Sequence, residues 1–119
     1  MIKLIRIIAI VILSGSFLFL QIGNTKEKLK IGLLVPMTGN DKEIGKSIIK
    51  AVSLAIKDID SNSIVIYPKD TASEPDQTLK SAFELKEKGI KVVLGPVFHQ
   101  SLTYLDEMKD LTFLSLTNK

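Results

Sequence analysis

The sequence predicts an α/β fold: an open parallel sheet with helices on both faces and strand order 2-1-3-4, preceded by an N-terminal hydrophobic signal helix. From residue 29 onward, short apolar runs recur, each closed by a turn residue such as Pro36, Pro68 or Gly95. Between these runs, apolar residues recur at three- and four-residue steps, which is the period of an amphipathic helix. Regular alternation of strand and helix is typical of parallel sheets with right-handed crossovers.

The first 23 residues have the composition of a secretory signal peptide. Lys3 and Arg6 precede an apolar run over residues 7–20, which Ser14-Gly15-Ser16 interrupts. A helix that crosses a bilayer needs about 20 apolar residues, so this shorter run favours a cleaved signal over a short membrane anchor. We therefore expect residues 1–23 to direct export to the periplasm, with membrane anchoring as the alternative.

Composition excludes several classes of function. The 119 residues allow one domain at most, and the absence of cysteine excludes disulfides, thiolate metal sites and a lipid-modified cysteine in this chain. The formal net charge is +3, but Lys3 and Arg6 belong to the leader, and without them the basic and acidic residues nearly balance. A nucleic-acid partner is therefore not expected.

The first strand and its turn are the segment around which the chain is organised. Residues 31–35 are apolar, and Pro36 cannot donate to a sheet ladder, so Met37-Thr38-Gly39 turns the chain toward a helix. Asn40 and Glu43 have capping-box spacing and predict a helix from residue 40 or 41 to about 59. Gly45 lies in the first turns of this helix, which favours close packing of the helix on a strand. The alternative is that the glycine is tolerated there without a packing role. The predicted core-facing residues are Ile48, Val52, Ala55, Ile56 and Ile59.

Two further strand–helix units follow. Residues 64–67 predict a strand that Pro68 ends. A helix that ends at Gly89 is predicted by Ser73, by Asp76 three residues later and by Pro75 between them. Residues 90–94 predict the third strand. Ser101 is then expected to cap a third helix, and residues 112–116 to begin a fourth strand. The apolar side of the third helix is Leu102, Leu105, Met108 and Leu111.

The predicted strand order places a candidate site at the carboxyl ends of the strands. Winding reverses between strands one and three, and ligands of open α/β sheets bind at such a point. The segments that converge there offer hydroxyls, amides and helix N-termini, which suit a carboxylate or another small anion. The alternative is that these residues only cap helices and turns. The candidate ligand-binding residues are Thr38, Gly39, His99, Gln100, Ser101, Thr117 and Asn118.

No pattern for catalysis, a cofactor or a metal accompanies this site. His99 is the only histidine, so no second imidazole offers metal-ligand spacing, and a lone histidine in a loop is usually a surface residue. Neither a GxGxxG nor a GxxxxGK[ST] motif is present. We predict a protein that is not an enzyme. For Asp70 the sequence leaves two roles open, binding a ligand ammonium or bonding its own backbone.

Residues 30–39 with Gly45 resemble the opening of the type I periplasmic solute-binding proteins, the leucine/isoleucine/valine-binding family, in which an apolar strand, Pro-Leu-Ser/Thr-Gly and a second glycine follow one another. Lys69-Asp70-Thr71 with Pro75 resembles that family's second strand exit. Residues 93–101 resemble its third-strand turn and are most similar to the branch related to penicillin-binding protein activators. The resemblance covers residues 29–119.

The resemblance implies that residues 29–119 are part of the N-terminal lobe of a two-lobe domain that closes on a small ligand, usually an amino acid delivered to an ABC transporter. Thr38, residues 99–101 and Thr117 with Asn118 would be its first-lobe contacts. The implied partners are the ligand, when the second lobe is present, and a transporter permease. The alternative is a regulator that contacts a cell-wall synthase. Because the family runs to several hundred residues, we expect a longer product, and weak ligand binding by one lobe alone.

Overall fold

The computed structural model describes residues 1–5, 26–59 and 62–117. The predicted signal helix falls mostly on residues 6–25, outside the described part of the chain. Among the described residues, no helix combines the length and apolar character needed to cross a bilayer. The elements are β1 (Leu29–Val35), α1 (Lys42–Asp58), β2 (Ile64–Asp70), α2 (Pro75–Glu87), β3 (Val92–Leu94), a 3-10 turn (His99–Ser101), α3 (Leu102–Leu105) and β4 (Thr112–Leu114).

The four strands form one parallel sheet in the order β2-β1-β3-β4. Ile31 of β1 is in register with Ile66 on one side and with Val92 on the other. The predicted fold class and strand order are therefore confirmed. Because all strands run in the same direction, the turns after β1, β2 and β3 emerge at the same edge of the sheet.

The main core lies on the face of the sheet that α2 and α3 cover. Leu34 and Val93 point into it from the strands, where they meet Leu85 of α2. Gly32 provides the space for this contact, since a Cβ at that position would lie 2.7 Å from Leu85 Cδ1. The buried cluster consists of Leu34, Ala82, Leu85, Ile90, Val93, Leu105, Met108 and Leu111, with Tyr67, Leu79 and Phe113 packed against it.

Helix α1 packs on the opposite face, where Leu33 and Val35 are fully buried. Its closest approach is at Gly45, whose hypothetical Cβ would lie 1.7 Å from the carbonyl oxygen of Pro36. The predicted packing role of Gly45 is thus confirmed. The side of α1 that was predicted to face the core is less buried than expected, since Ile59 is 61% exposed and Ile48 is only partly buried.

Both predicted capping boxes are wrong. The N-cap residue of α1 is Asp41 rather than Asn40, and its side chain does not cap the helix. The N-cap residue of α2 is Glu74 rather than Ser73, while Pro75 occupies the first turn as predicted. For Ser73 the physical reason is a competing partner, because its Oγ donates to Asp41 Oδ2 at 2.7 Å and so binds the start of α1 instead of its own helix.

Strand β2 continues through Pro68 to Asp70, so the prediction that Pro68 ends it is wrong. Pro68 is paired in register with Leu33 of β1. Since β2 is the outer strand of the described sheet, the missing N–H of proline can face away from β1 without breaking the ladder.

The third helix covers Leu102–Leu105 and does not continue to Leu111 as predicted, and β4 ends at Leu114 rather than at residue 116. Leu105, Met108 and Leu111 are nevertheless buried, as predicted. They are brought inward by successive tight turns, in which Met108 N–H donates to Leu105 O at 2.9 Å and Leu111 N–H to Met108 O at 3.1 Å.

Candidate functional site

The turn after β1 is held by a side chain from the end of β2. Asp70 Oδ1 accepts hydrogen bonds from the backbone N–H groups of Met37 (2.7 Å), Thr38 (3.2 Å) and Ala72 (2.9 Å). Asp70 Oδ2 accepts a hydrogen bond from Thr38 Oγ1 at 2.6 Å. We call this arrangement of Asp70 with Met37, Thr38 and Ala72 the Asp70 clasp. It fixes the two strand exits relative to each other.

The electrostatics of the Asp70 clasp favour the ionised carboxylate. Partial burial raises the pKa of Asp70, but the hydrogen bonds from the Thr38 hydroxyl and from the N–H groups of Ala72, Met37 and Thr38 together outweigh it. The pKa of Asp70 therefore lies below its ordinary value. The carboxylate remains a pure acceptor at neutral pH.

The loop after β2 links the other two segments of the edge. Ala72 and Ser73 adopt left-handed backbone conformations, with φ of 48° and 62°. Ser73 reaches the start of α1 through Asp41, and its carbonyl oxygen accepts a hydrogen bond from Gln100 Nε2 at 3.4 Å. The exits of β1, β2 and β3 thus share one hydrogen-bonded loop.

Two of the predicted site residues, Thr38 and Gly39, lie on the exposed rim of the Asp70 clasp. Thr38 is exposed, although its N–H and hydroxyl both donate to Asp70. Gly39 has φ of 81°, and a Cβ there would lie 3.7 Å from Ala72 O. This backbone conformation strongly favours glycine and lets the chain turn into α1.

The predicted site residues after β3 divide into two environments. His99 and Gln100 are exposed at the same edge, on the 3-10 turn. Ser101 is buried, and its Oγ is hydrogen-bonded to Thr78 Oγ1 of α2 at 3.3 Å. Ser101 therefore anchors the turn to α2, and its hydroxyl faces the interior in this structure.

Thr117 lies beyond β4, where its N–H donates to Ser115 Oγ at 3.1 Å. The segment is tied to the exit of β3, because Leu116 N–H donates to Pro96 O at 3.1 Å. Asn118 lies outside the described residues. The loop after β2 therefore connects three of the predicted site residues: Asp70 binds the turn that carries Thr38 and Gly39, and Ser73 binds Gln100. Thr117 lies apart from them, at the exit of β4.

The carboxyl edge is an open rim rather than a closed cavity. Two concave surfaces of the described chain lie away from this edge, one of about 300 Å³ at the amino ends of β1 and β3 and a shallow one of about 510 Å³ along α2. The first is lined by residues 27–30, Gly89, Lys91 and Val92, and the second by Asp76, Leu79, Lys80, Phe83, Glu84 and Glu87. Small ligands are usually buried over most of their surface, so an exposed rim of this kind would cover only part of a ligand by itself.

The sequence predictions missed the contacts of Asp70, Asp41 and Ser73 between turns. One of the two roles left open for Asp70 is confirmed, since its carboxylate accepts from the nearby Ala72 N–H. The longer-range partner, Thr38, could have been suspected from the strand order, which sets the exits of β1 and β2 side by side. A carboxylate at one exit then lies next to backbone donors at the other.

The Asp70 clasp predicts a specific dependence of stability on pH. Because the pKa of Asp70 is lower in the folded protein, its stabilisation is complete above the unfolded-state pKa of about 3.9 and is lost as the pH falls through the folded-state value. The difference in unfolding free energy between wild type and Asp70→Asn should therefore be constant above about pH 5 and shrink as the pH falls below about 4. Urea unfolding of both proteins at a series of pH values measures this difference.

Asp106→Asn is the matched control, because Asp106 is exposed and forms no hydrogen bond or ion pair through its side chain within the described residues. It should leave the pH dependence of unfolding unchanged. A difference between wild type and Asp70→Asn that does not vary with pH would contradict the assignment of an ionised clasp.

Comparison with known proteins connects this geometry to a family. Residues 28–114 match the family model described as periplasmic binding protein. The chain belongs to the periplasmic binding protein family. No curated protein matches the chain. The periplasmic binding protein family consists of exported substrate-binding proteins rather than enzymes.

Several solved structures share the fold. One is a solute-binding protein of an ABC transporter from Rhodopseudomonas palustris BisB5 in complex with 3,4-dihydroxybenzoic acid, with 28% identity and a TM-score of 0.69 over 76% of this chain and 27% of that chain. The leucine-binding protein LivK from Thermotoga maritima MSB8 has 16% identity and a TM-score of 0.68 over 76% and 28%. The C-domain of LpoA from Haemophilus influenzae, a regulator of PBP1A, has 23% identity and a TM-score of 0.61 over 76% and 28%.

The chain spans about a quarter of the length of these solved structures. The predicted resemblance to the leucine-binding family and to penicillin-binding protein activators is confirmed at the level of the fold.

Proposed function

We propose that this chain forms one wall of a binding site for a small carboxylate-bearing solute, in an exported protein that serves an ABC transporter. The observation that carries the proposal is the Asp70 clasp, which presents Thr38 and Gly39 at the carboxyl edge of the sheet beside Gln100. Residues 29–119 would be part of the N-terminal lobe, and Thr38, Gly39, His99, Gln100, Ser101, Thr117 and Asn118 the candidate contacts. Ser101 would contribute through its backbone, since its side chain is buried.

Exposed hydrogen-bond donors at the rim suit an anionic ligand group. Asp70 and Asp41 each accept hydrogen bonds from the protein itself, from Thr38 and Ser73 respectively. The exposed groups beside them include the Gln100 amide, the His99 imidazole and the N-terminal end of α1, where backbone N–H groups attract anions. These donors match a carboxylate better than an isolated ammonium.

The known ligands of similar proteins are consistent with this chemistry. The Rhodopseudomonas palustris BisB5 protein holds 3,4-dihydroxybenzoic acid, and another solute-binding protein from Rhodopseudomonas palustris, with 21% identity, holds benzoate. LivK is a leucine-binding protein. Each of these small molecules has a carboxylate, so we propose a carboxylate ligand for this chain without assigning one compound.

NMR titration of the protein tests the proposal, because it detects weak binding by a single open wall. Benzoate and leucine at millimolar concentration should shift the amide resonances of residues 38–40 and 99–101, whereas benzamide and leucinamide, which lack the carboxylate, should not. Equal shifts with an acid and its amide, or no shifts with any acid, would contradict a carboxylate site at this edge.

A second function, regulation of a cell-wall synthase by protein contact, is favoured by the turn at Gly95-Pro96. Its sequence, with Val97 and Phe98 following, resembles the activator branch, and the LpoA C-domain shares the fold. In that case a penicillin-binding protein should be captured by the immobilised protein with the same efficiency in the presence and absence of small carboxylates. Failure to capture one would remove this alternative.

A further inference from the structure

The Thr38 hydroxyl has a defined hydrogen-bond direction. A hydroxyl has one proton to donate and two lone pairs that accept. The proton of Thr38 Oγ1 goes to Asp70 Oδ2 over 2.6 Å, because an ionised carboxylate can only accept. A ligand that approaches Thr38 from the exposed side therefore meets lone pairs.

The backbone that carries the Asp70 side chain is held in place from the interior. The carbonyl oxygen of Asp70 accepts a hydrogen bond from the buried Ser81 Oγ of α2 at 2.6 Å. The next residue, Thr71, donates its N–H to Val35 O at 3.0 Å. The orientation of the Thr38 hydroxyl is thus set by a chain of contacts that leads back to the core.

We propose that Asp70 determines ligand specificity through Thr38: by fixing the hydroxyl as an acceptor, it selects carboxylate ligands that also have a hydrogen-bond donor, such as a hydroxyl or an ammonium group. This inference rests on the carboxylate site proposed above. Asp70 acts as a positioning residue that need not touch the ligand. Thr38 is the residue that the ligand donor meets.

Replacing Asp70 by asparagine should reverse the hydroxyl while keeping the clasp. Three backbone N–H groups, from Met37, Thr38 and Ala72, converge on Oδ1, so the carbonyl oxygen of an asparagine would stay there. Its amide nitrogen would then occupy the place of Oδ2 and donate to Thr38 Oγ1. The Thr38 proton would have to point outward, and the rim would offer a donor instead of an acceptor.

The test compares affinities within matched pairs of probes, measured by NMR titration. The pairs are 3,4-dihydroxybenzoate with benzoate, and leucine with 4-methylpentanoate, which lacks the amino group. In the wild-type protein the donor-bearing member of at least one pair should bind about three- to tenfold more tightly than the member without the donor. This is the gain in affinity expected from one hydrogen bond. Thr38→Val removes the acceptor and should bring this ratio to about one.

Asp70→Asn should also abolish or reverse this ratio between the two members of a pair. Asp106→Asn, the exposed control, should leave the ratio unchanged. A merely structural role for Asp70 would weaken both members of a pair equally and preserve the ratio, and that result would overturn the inference. A ratio of about one in the wild type would overturn it as well. If none of the carboxylates binds, the proposed function fails and this inference fails with it.

Discussion

Gly45→Ala is expected to cost at least about 3 kcal/mol of folding free energy, a large part of the 5–15 kcal/mol typical of a domain. The added Cβ would lie 1.7 Å from Pro36 O, and the contact is with backbone, so no side chain can move aside. Helix α1 would have to shift away from β1. Thermal unfolding followed by circular dichroism should show a midpoint lowered by about 12 °C or more.

The matched control for this change is Gly89→Ala. Gly89 has φ of 73°, but a Cβ there meets no atom within 4 Å. Its expected cost is only the backbone cost of a left-handed alanine, about 1 kcal/mol. Equal destabilisation by the two variants would show that α1 can move without loss and would contradict close packing at Gly45.

Leu85→Ala should destabilise the protein by about 3 kcal/mol, because Leu85 is fully buried in the main core and its removal leaves a cavity between α2 and the sheet. Urea unfolding gives this value directly. The result would be contradicted by a loss below about 1 kcal/mol, the cost expected for a partly exposed site.

Gly32 provides a double-mutant test of the same packing. In the wild type, Gly32→Ala places a methyl group 2.7 Å from Leu85 Cδ1 and 3.2 Å from Val93 Cγ2, so we expect a loss of about 1–3 kcal/mol. In the Leu85→Ala background the nearest obstacle is gone, and the new methyl partly fills the cavity. The combined loss should therefore be smaller than the sum of the two single losses. Additive losses would mean that the two positions do not share this space.

The element order and the parallel sheet could be predicted because they follow from periodicity and chain connectivity. The apolar run before Pro36 and the alternation of strands with helices leave few topologies that keep right-handed crossovers. Gly45 was informative for the same reason, since a glycine inside a helix that packs on a sheet indicates close approach. These features depend on residues near one another in the chain.

The site could be predicted only as a region. The strand order brought the right turns to one edge, but the partners of Asp70, Asp41 and Ser73 depend on distances between turns that spacing does not encode. Capping rules compare a residue only with its neighbours in sequence. They fail for Ser73, because its hydroxyl donates to Asp41, which is distant in sequence.

The third helix shows the same limit in another form. Leu102, Leu105, Met108 and Leu111 recur strictly every three residues. This spacing fits a series of tight turns as well as an α-helix, whose period is 3.6 residues. The burial of Leu105, Met108 and Leu111 could therefore be predicted, whereas the local backbone geometry could not.

Pro68 has a consequence for association with other chains. An outer strand of a sheet is a template on which a foreign strand can grow, and such growth starts many aggregates. Pro68 leaves a gap in the row of amide donors along the outer side of β2, and Lys69 follows it directly. An incoming strand would lose a bond at that point, so this flank of the sheet is poorly suited to seeding fibrils.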